Sequence, residues 1–252
     1  MKKILSILFI VTIVLGMVEY AKATPVTFTG SSDSLAASVT FDVSGSNLLV
    51  TLANTGTGDP GAPGDILTGV IFLIPGNPLL DRTTGSAKLS SGSIVIHGPI
   101  PATDPGGVVG GEWAYTDLLV APFVGQQSIY SAGYFDGLAR FPGSDLQGPP
   151  SGSVDGVQYG ITTLFDLAAN DNGGVKNEGL IQNSVDFVLP GLPAGFKLSD
   201  ISNVSFQYGT GLDETNFPGD HGGKVPEPAT LMLLGSGLIG LVGYGRKKYF
   251  KK

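Results

Sequence analysis

Apolar and polar residues alternate along residues 39–43, and large apolar residues recur at every second position along residues 48–53, between Leu49, Thr51 and Ala53. The apolar positions of the two runs are Val39, Phe41, Val43, Leu48, Val50 and Leu52. A period of two places such side chains on one face of a β-strand. The segment between the runs, Ser44-Gly45-Ser46-Asn47, consists of residues that favour turns. The pattern therefore predicts a β-hairpin over residues 39–53.

Similar short runs recur along the next 150 or so residues, and nearly every interval between them contains Gly, Pro, Asn or Asp. Further strands are predicted at residues 66–74, 92–97, 112–117, 127–134, 157–165, 185–189 and 204–208. Irregular loops are predicted at residues 56–65 and 98–111. Many short strands separated by such turns favour an antiparallel β-sandwich or a jelly roll over a helical architecture.

These strands predict one all-β ectodomain over residues 24–208. Residues 209–224 are rich in Gly and acidic residues and are predicted to form a flexible spacer.

The N-terminal segment differs from this region. Lys2 and Lys3 precede an apolar stretch at residues 4–18, and Ala21 and Ala23 follow with the small-x-small spacing that signal peptidase recognises. A stretch of 15 residues rises only about 22 Å as a helix, which is short of a hydrocarbon core of roughly 30 Å. Residues 1–23 are therefore predicted to be a signal peptide cleaved after Ala23, rather than a retained anchor.

The C-terminal segment has three parts. Pro226-Glu227-Pro228 is stiff and extended, because each proline fixes its own φ and restricts the residue before it. Residues 229–245 form an uncharged apolar run, at the short end of what spans a bilayer as a helix. Five cations follow in residues 246–252, and the positive-inside rule places them in the cytoplasm and residues 24–228 outside.

This order and spacing closely resemble the PEP-CTERM protein-sorting signal of Gram-negative bacteria over residues 225–252. The resemblance implies processing by an exosortase, an integral-membrane cysteine transpeptidase. It also implies transient anchoring in the inner membrane, removal of the tail, and delivery to the cell surface or extracellular matrix. The alternative is a permanent single-pass anchor.

Charge excludes some functions. Residues 24–228 hold six of the 14 basic residues and 20 of the 21 acidic residues, which leaves this part with a formal charge of −14. Such an acidic composition does not provide the basic patch that binding to nucleic acid requires. The chain contains no cysteine, which excludes disulfides, a thiol nucleophile and cysteine-ligated metal sites.

Catalytic motifs are absent from the sequence, and no catalytic residue is predicted. The two histidines are His97, interpreted as a strand-end residue, and His221, in the predicted spacer. There is no G-x-S-x-G elbow, H-E-x-x-H motif or phosphate-binding loop.

Glu112, beside Trp113 and Tyr115 and with Asp117 further along the same run, is the best local candidate for contact with a glycan. Glycoside hydrolysis needs only two carboxylates across a sugar. The same residue types also suit ordinary core packing.

No cofactor is predicted, and calcium is the ligand that the composition fits best. Calcium takes six to eight oxygen ligands, often from acidic loops. The candidate ligands are Asp171, within Asn-Asp-Asn-Gly-Gly, and the adjacent Asp213 and Glu214. Neither segment completes an EF-hand loop, and both compositions are also those of ordinary turns.

The leading hypothesis is a non-enzymatic surface or matrix protein, sorted by exosortase and associated with exopolysaccharide in a biofilm. One alternative is a carbohydrate-binding module or glycan-active enzyme carried on the same tail. Another is a structural adhesin that self-associates through open sheet edges.

Overall fold

The structure, a computed structural model, describes residues 24–98, 106–119, 121–132, 145–149, 156–167 and 172–221. The predicted signal peptide and the predicted sorting tail lie outside these residues. The strands are β1 (Val26–Ser32), β2 (Leu35–Ser44), β3 (Asn47–Asn54), β4 (Leu67–Leu73), β5 (Ser86–Leu89), β6 (Ile94–Ile96), β7 (Ala114–Asp117), β8 (Gln127–Tyr130), β9 (Ile161–Thr162), β10 (Leu180–Gln182), β11 (Ser184–Pro190), β12 (Ser202–Tyr208), β13 (Asn216–Pro218) and β14 (Asp220–His221). Helix is limited, in this part of the chain, to one α-helical turn at Gly173–Lys176 and 3₁₀ turns at Pro63–Asp65, Gly110–Glu112 and Leu198–Asp200.

The first sheet has the order β14-β1-β2-β3-β11-β5, and every neighbouring pair is antiparallel. The predicted hairpin is confirmed as β2 and β3, with Val43 opposite Leu48. Gly45 forms its turn at φ 62°, a left-handed conformation that glycine adopts without steric cost. The alternating apolar side chains of both strands are buried, as their period predicts, except Val43 beside the turn, which is partly buried.

The second sheet is built around β4. β12 pairs with one edge of β4, while β8 and β9 share the other edge, and β7 continues from β8. β10 joins β9 in parallel and β6 joins β10 in antiparallel fashion, so this sheet is mixed. Six of the seven residues of β4 are buried, because both of its faces are covered.

Aromatic side chains fill the space between the two sheets. Phe41 of β2 packs edge-on against Phe72 of β4, with ring centroids 5.1 Å apart. Trp113 packs in the same way on Phe187 of β11 at 5.0 Å. The hydroxyl of Tyr208 in β12 donates a 2.9 Å hydrogen bond to the carbonyl of Ala36 in β2. These contacts join the sheets across one hydrophobic core.

The prediction of an all-β fold is confirmed, and β4, β6, β11 and β12 lie where strands were predicted. The predicted strand at 157–165 is wrong in extent, since only Ile161–Thr162 is a strand. The preceding residues form a turn in which Tyr159 adopts φ 56°. β1, β5 and β10 were not predicted.

The prediction of a flexible spacer from residue 209 is also wrong in extent, because the folded chain continues to His221. β13 pairs with β12, and β14 pairs with β1. Phe217 of β13 is 5% exposed and lies 5.8 Å from Phe206 and 5.5 Å from Tyr208, measured between ring centroids. Burial of this single aromatic residue attaches a polar segment to the core.

No helix within the described residues is long and apolar enough to cross a membrane. The helix predicted at residues 229–245 lies outside them.

The docking of β13 can be tested with Phe217→Ala. We expect this substitution to lower the free energy of unfolding by about 3–5 kcal/mol, because it leaves a cavity between Phe206 and Tyr208. The measurement is urea unfolding of the domain, with Val124→Ala as the control, since Val124 is 63% exposed. Equal stability of the two variants would contradict the packing of β13.

Candidate functional site

The residues predicted to contact a glycan lie in the core. Glu112 is 2% exposed, and Trp113 and Tyr115 are fully buried. Glu112 ends the 3₁₀ turn at Gly110–Glu112, Trp113 follows it, and Tyr115 lies in β7. The structure therefore brings the three residues together, but it gives none of them a surface on which a sugar ring could stack.

The buried phenols in this region act as neutral groups. Burial raises the pKa of Tyr115, whose hydroxyl oxygen accepts a 3.4 Å hydrogen bond from the N–H of Leu80. Burial, followed by the negative charge of Glu112, raises the pKa of Tyr159 to about 12. Both hydroxyls keep their protons at neutral pH, so neither serves as a base there.

A polar cluster that the sequence did not predict lies beside β6 and β9 of the second sheet. The Nε2 atom of His97 is 2.7 Å from Oδ1 of Asp166, and the two side chains are 3% and 0% exposed. The hydroxyl of Thr162 donates a 2.5 Å hydrogen bond to Oδ2 of the same carboxylate. His97 directly follows β6, and Thr162 ends β9. β10 lies between those two strands, and the sheet in this way brings His97 close to Asp166, which is 69 positions further along the chain.

The order of these three groups determines their chemistry. In a hydrolytic triad the imidazole lies between the hydroxyl and the carboxylate, so that it can take the proton of the nucleophile. Here the carboxylate of Asp166 lies between Thr162 and His97. The arrangement satisfies buried polar groups and fixes the segment after β9, and it is not a nucleophile–base pair.

Neighbouring hydrogen bonds hold the same segment. The amide of Gln182 donates to the carbonyl of Leu164 at 3.4 Å, and the N–H of Leu167 donates to Asp59 Oδ1 at 2.9 Å. With its backbone held in this way, the segment keeps Leu164, Phe165 and Leu167 each more than half exposed.

The calcium candidates are only partly described. Asp171 lies outside the described residues, and Asp213 is exposed. The carboxylate of Glu214 accepts hydrogen bonds from the N–H of Thr210 at 2.5 Å and from its hydroxyl at 3.2 Å, so it stabilises the turn before β13. Among the described residues, no group of three or more His, Asp or Glu side chains could hold a metal ion. Calcium binding stays a prediction.

The sorting residues Pro226, Glu227 and Pro228 and the signal-peptidase residues Ala21 and Ala23 also lie outside the described residues. The structure does show where the chain leaves the domain toward both segments. β14 runs antiparallel to β1, with Asp220 opposite Thr29 and His221 opposite Phe28. The chain therefore leaves β14 toward Val26, at the end of β1 where the domain begins.

The polar cluster gives a test of its structural role. We expect Asp166→Ala to lower the free energy of unfolding by about 3 kcal/mol, and Thr162→Val by about 1 kcal/mol, because each removes buried hydrogen bonds. Urea unfolding measures both, with Asp200→Ala at the exposed end of a 3₁₀ turn as the control. Wild-type stability of Asp166→Ala would show that the cluster does not hold this segment.

Comparison with known proteins identifies one part of the chain. Residues 224–248 match the model of the PEP-CTERM protein-sorting motif. The match includes the Pro-Glu-Pro sequence, the apolar run and the first three cations after it. No curated protein and no solved structure matches the chain. The resemblance seen in the sequence is thereby confirmed: the chain carries a PEP-CTERM protein-sorting motif at its C-terminal end.

Proposed function

We propose that this chain is an exported, non-enzymatic protein of the cell surface or extracellular matrix. Exosortase processes its tail, and a β-sandwich ectodomain remains associated with exopolysaccharide in a biofilm. The observation that carries the proposal is the sorting motif at residues 224–248, which implies export and exosortase-dependent delivery to the surface or matrix.

The sequence outside the described residues supports this route. The predicted signal peptide at 1–23 starts export, and signal peptidase releases the chain after Ala23. The apolar run at 229–245 holds the chain transiently in the inner membrane, with the cations of 246–252 in the cytoplasm. The ectodomain then lies outside the membrane until exosortase acts.

The fold supports the same role. β1 begins, and β14 ends, at the same end of the first sheet. Both segments that direct the chain to the membrane therefore join the domain at that end. The other surfaces of the domain are left to face the matrix.

Two observations favour a non-enzymatic role over the alternative of a glycan-active protein. The side chains best suited to a sugar, Trp113 and Tyr115, are buried in the core. The one described His–Asp cluster has its carboxylate between hydroxyl and imidazole, which does not match a hydrolytic triad.

The proposal is tested by changing the motif in a host that contains an exosortase. We expect the wild-type protein to lose the tail and to begin at Thr24. The triple variant Pro226→Ala, Glu227→Ala, Pro228→Ala should keep the tail and remain with the membrane, because the recognised sequence is gone. Mass spectrometry of the membrane and polysaccharide fractions measures both results.

Asp200→Ala is the control, since this exposed carboxylate lies in a 3₁₀ turn before the motif, and it should be processed like the wild type. A wild-type protein that keeps residues 229–252 in the presence of exosortase would favour the permanent anchor instead.

A further inference from the structure

The last strand of the domain is weakly attached. β14 has two residues, Asp220 and His221, and both are exposed. It pairs with β1 through two residue pairs at the edge of the first sheet. The ring of His221 lies edge-on to Phe28, with centroids 5.0 Å apart. Such a short edge strand opens at a far lower cost than the core strands.

The strand before it is held much more firmly. β13 buries Phe217 against Phe206 and Tyr208. The side chain of Gln207, fully buried in β12, accepts a 3.1 Å hydrogen bond from Asn216. The N–H of Gly219 also donates a 2.8 Å hydrogen bond to the carbonyl of Val204 in β12. Detachment that begins at the tail therefore stops at Gly219.

The chain between β14 and the sorting motif is short. Only residues 222–225 separate His221 from Pro226. Four residues span at most about 14 Å when fully extended. The Pro-Glu-Pro sequence directly precedes the apolar run, so a docked β14 holds the folded domain close to the membrane and to the motif.

We propose that β14 detaches from β1 when the tail is processed, and that this release gives exosortase access to the motif. Release of Asp220 and His221 lengthens the free chain from four residues to six, or from about 14 Å to about 21 Å. A longer free chain lets the motif reach an enzyme that binds its substrate as an extended strand while the folded domain stays clear of that enzyme. The inference rests on the proposed function, because it concerns the same processing step.

Locking β14 in place tests the inference. Thr29 and Asp220 are exposed and directly opposite each other. Opposite residues of an antiparallel pair have Cα atoms about 4.5–5.5 Å apart, within the range that a disulfide bridges. The protein has no cysteine, so Thr29→Cys with Asp220→Cys gives a single defined disulfide in an exported protein.

The matched control is Thr27→Cys with Thr40→Cys, which links β1 to β2 instead. These residues are also opposite each other, with their hydroxyl oxygens 2.9 Å apart, and the link leaves β14 free. A third variant adds a ten-residue Gly-Ser linker after Gly223 to the locked protein. Thiol labelling confirms disulfide formation, and mass spectrometry measures the fraction of protein that has lost its tail.

We expect the locked protein to keep its tail, because a connection that cannot span the required distance reduces productive encounter to near zero. The control should be processed like the wild type, and the linker should restore processing of the locked protein. Normal processing of the oxidised locked protein would overturn the inference. So would a locked protein that keeps its tail despite the linker, because reach would then not be limiting. A wild-type protein that keeps its tail would instead overturn the proposed function, and the role of β14 with it.

Discussion

The structure depends on aromatic packing between two β-sheets. A chain without cysteine has no disulfide to hold together a domain rich in Gly and Pro loops. Phe41 on Phe72 joins the two sheets at one place, and Trp113 on Phe187 joins them at another. Each pair buries a large apolar area in a preferred edge-on geometry. With the sheets held in this way, the polar clusters and the chain ends take up their positions around them.

Parts of this fold follow from the sequence because they depend on local pattern alone. The hairpin of β2 and β3 has a clear period of two and a Gly turn, and β4 contains a continuous apolar run at residues 70–73. β13 and β14 have no such signal, since one aromatic residue, Phe217, attaches them to partners that come from β1 and β12. β9 was predicted too long, because Val157 and Tyr159 are buried within a turn rather than along a strand.

The surroundings of the candidate site residues likewise depend on contacts between distant strands, which the local sequence pattern does not show. Trp113 and Tyr115 fit an exposed strand face when read along the sequence, but β7 is covered on both sides. Tyr115 faces the main core, while Ala114 packs in a second cluster with Ile71 and Tyr130. The contact between His97 and Asp166 depends on the parallel pairing of β9 and β10, which no local pattern predicts. The sorting motif could be predicted because its three parts are contiguous in the sequence.

The antiparallel pairing of β1 with β14 also determines how the domain bears mechanical load. Hydrogen bonds of an antiparallel pair lie across the strands. A force that pulls the two chain ends apart therefore acts first on the pair of Phe28 and His221, then on Thr29 and Asp220, one pair at a time. The edge strand therefore separates one residue pair at a time under low force, whereas the buried aromatic residues behind it must be pulled apart together.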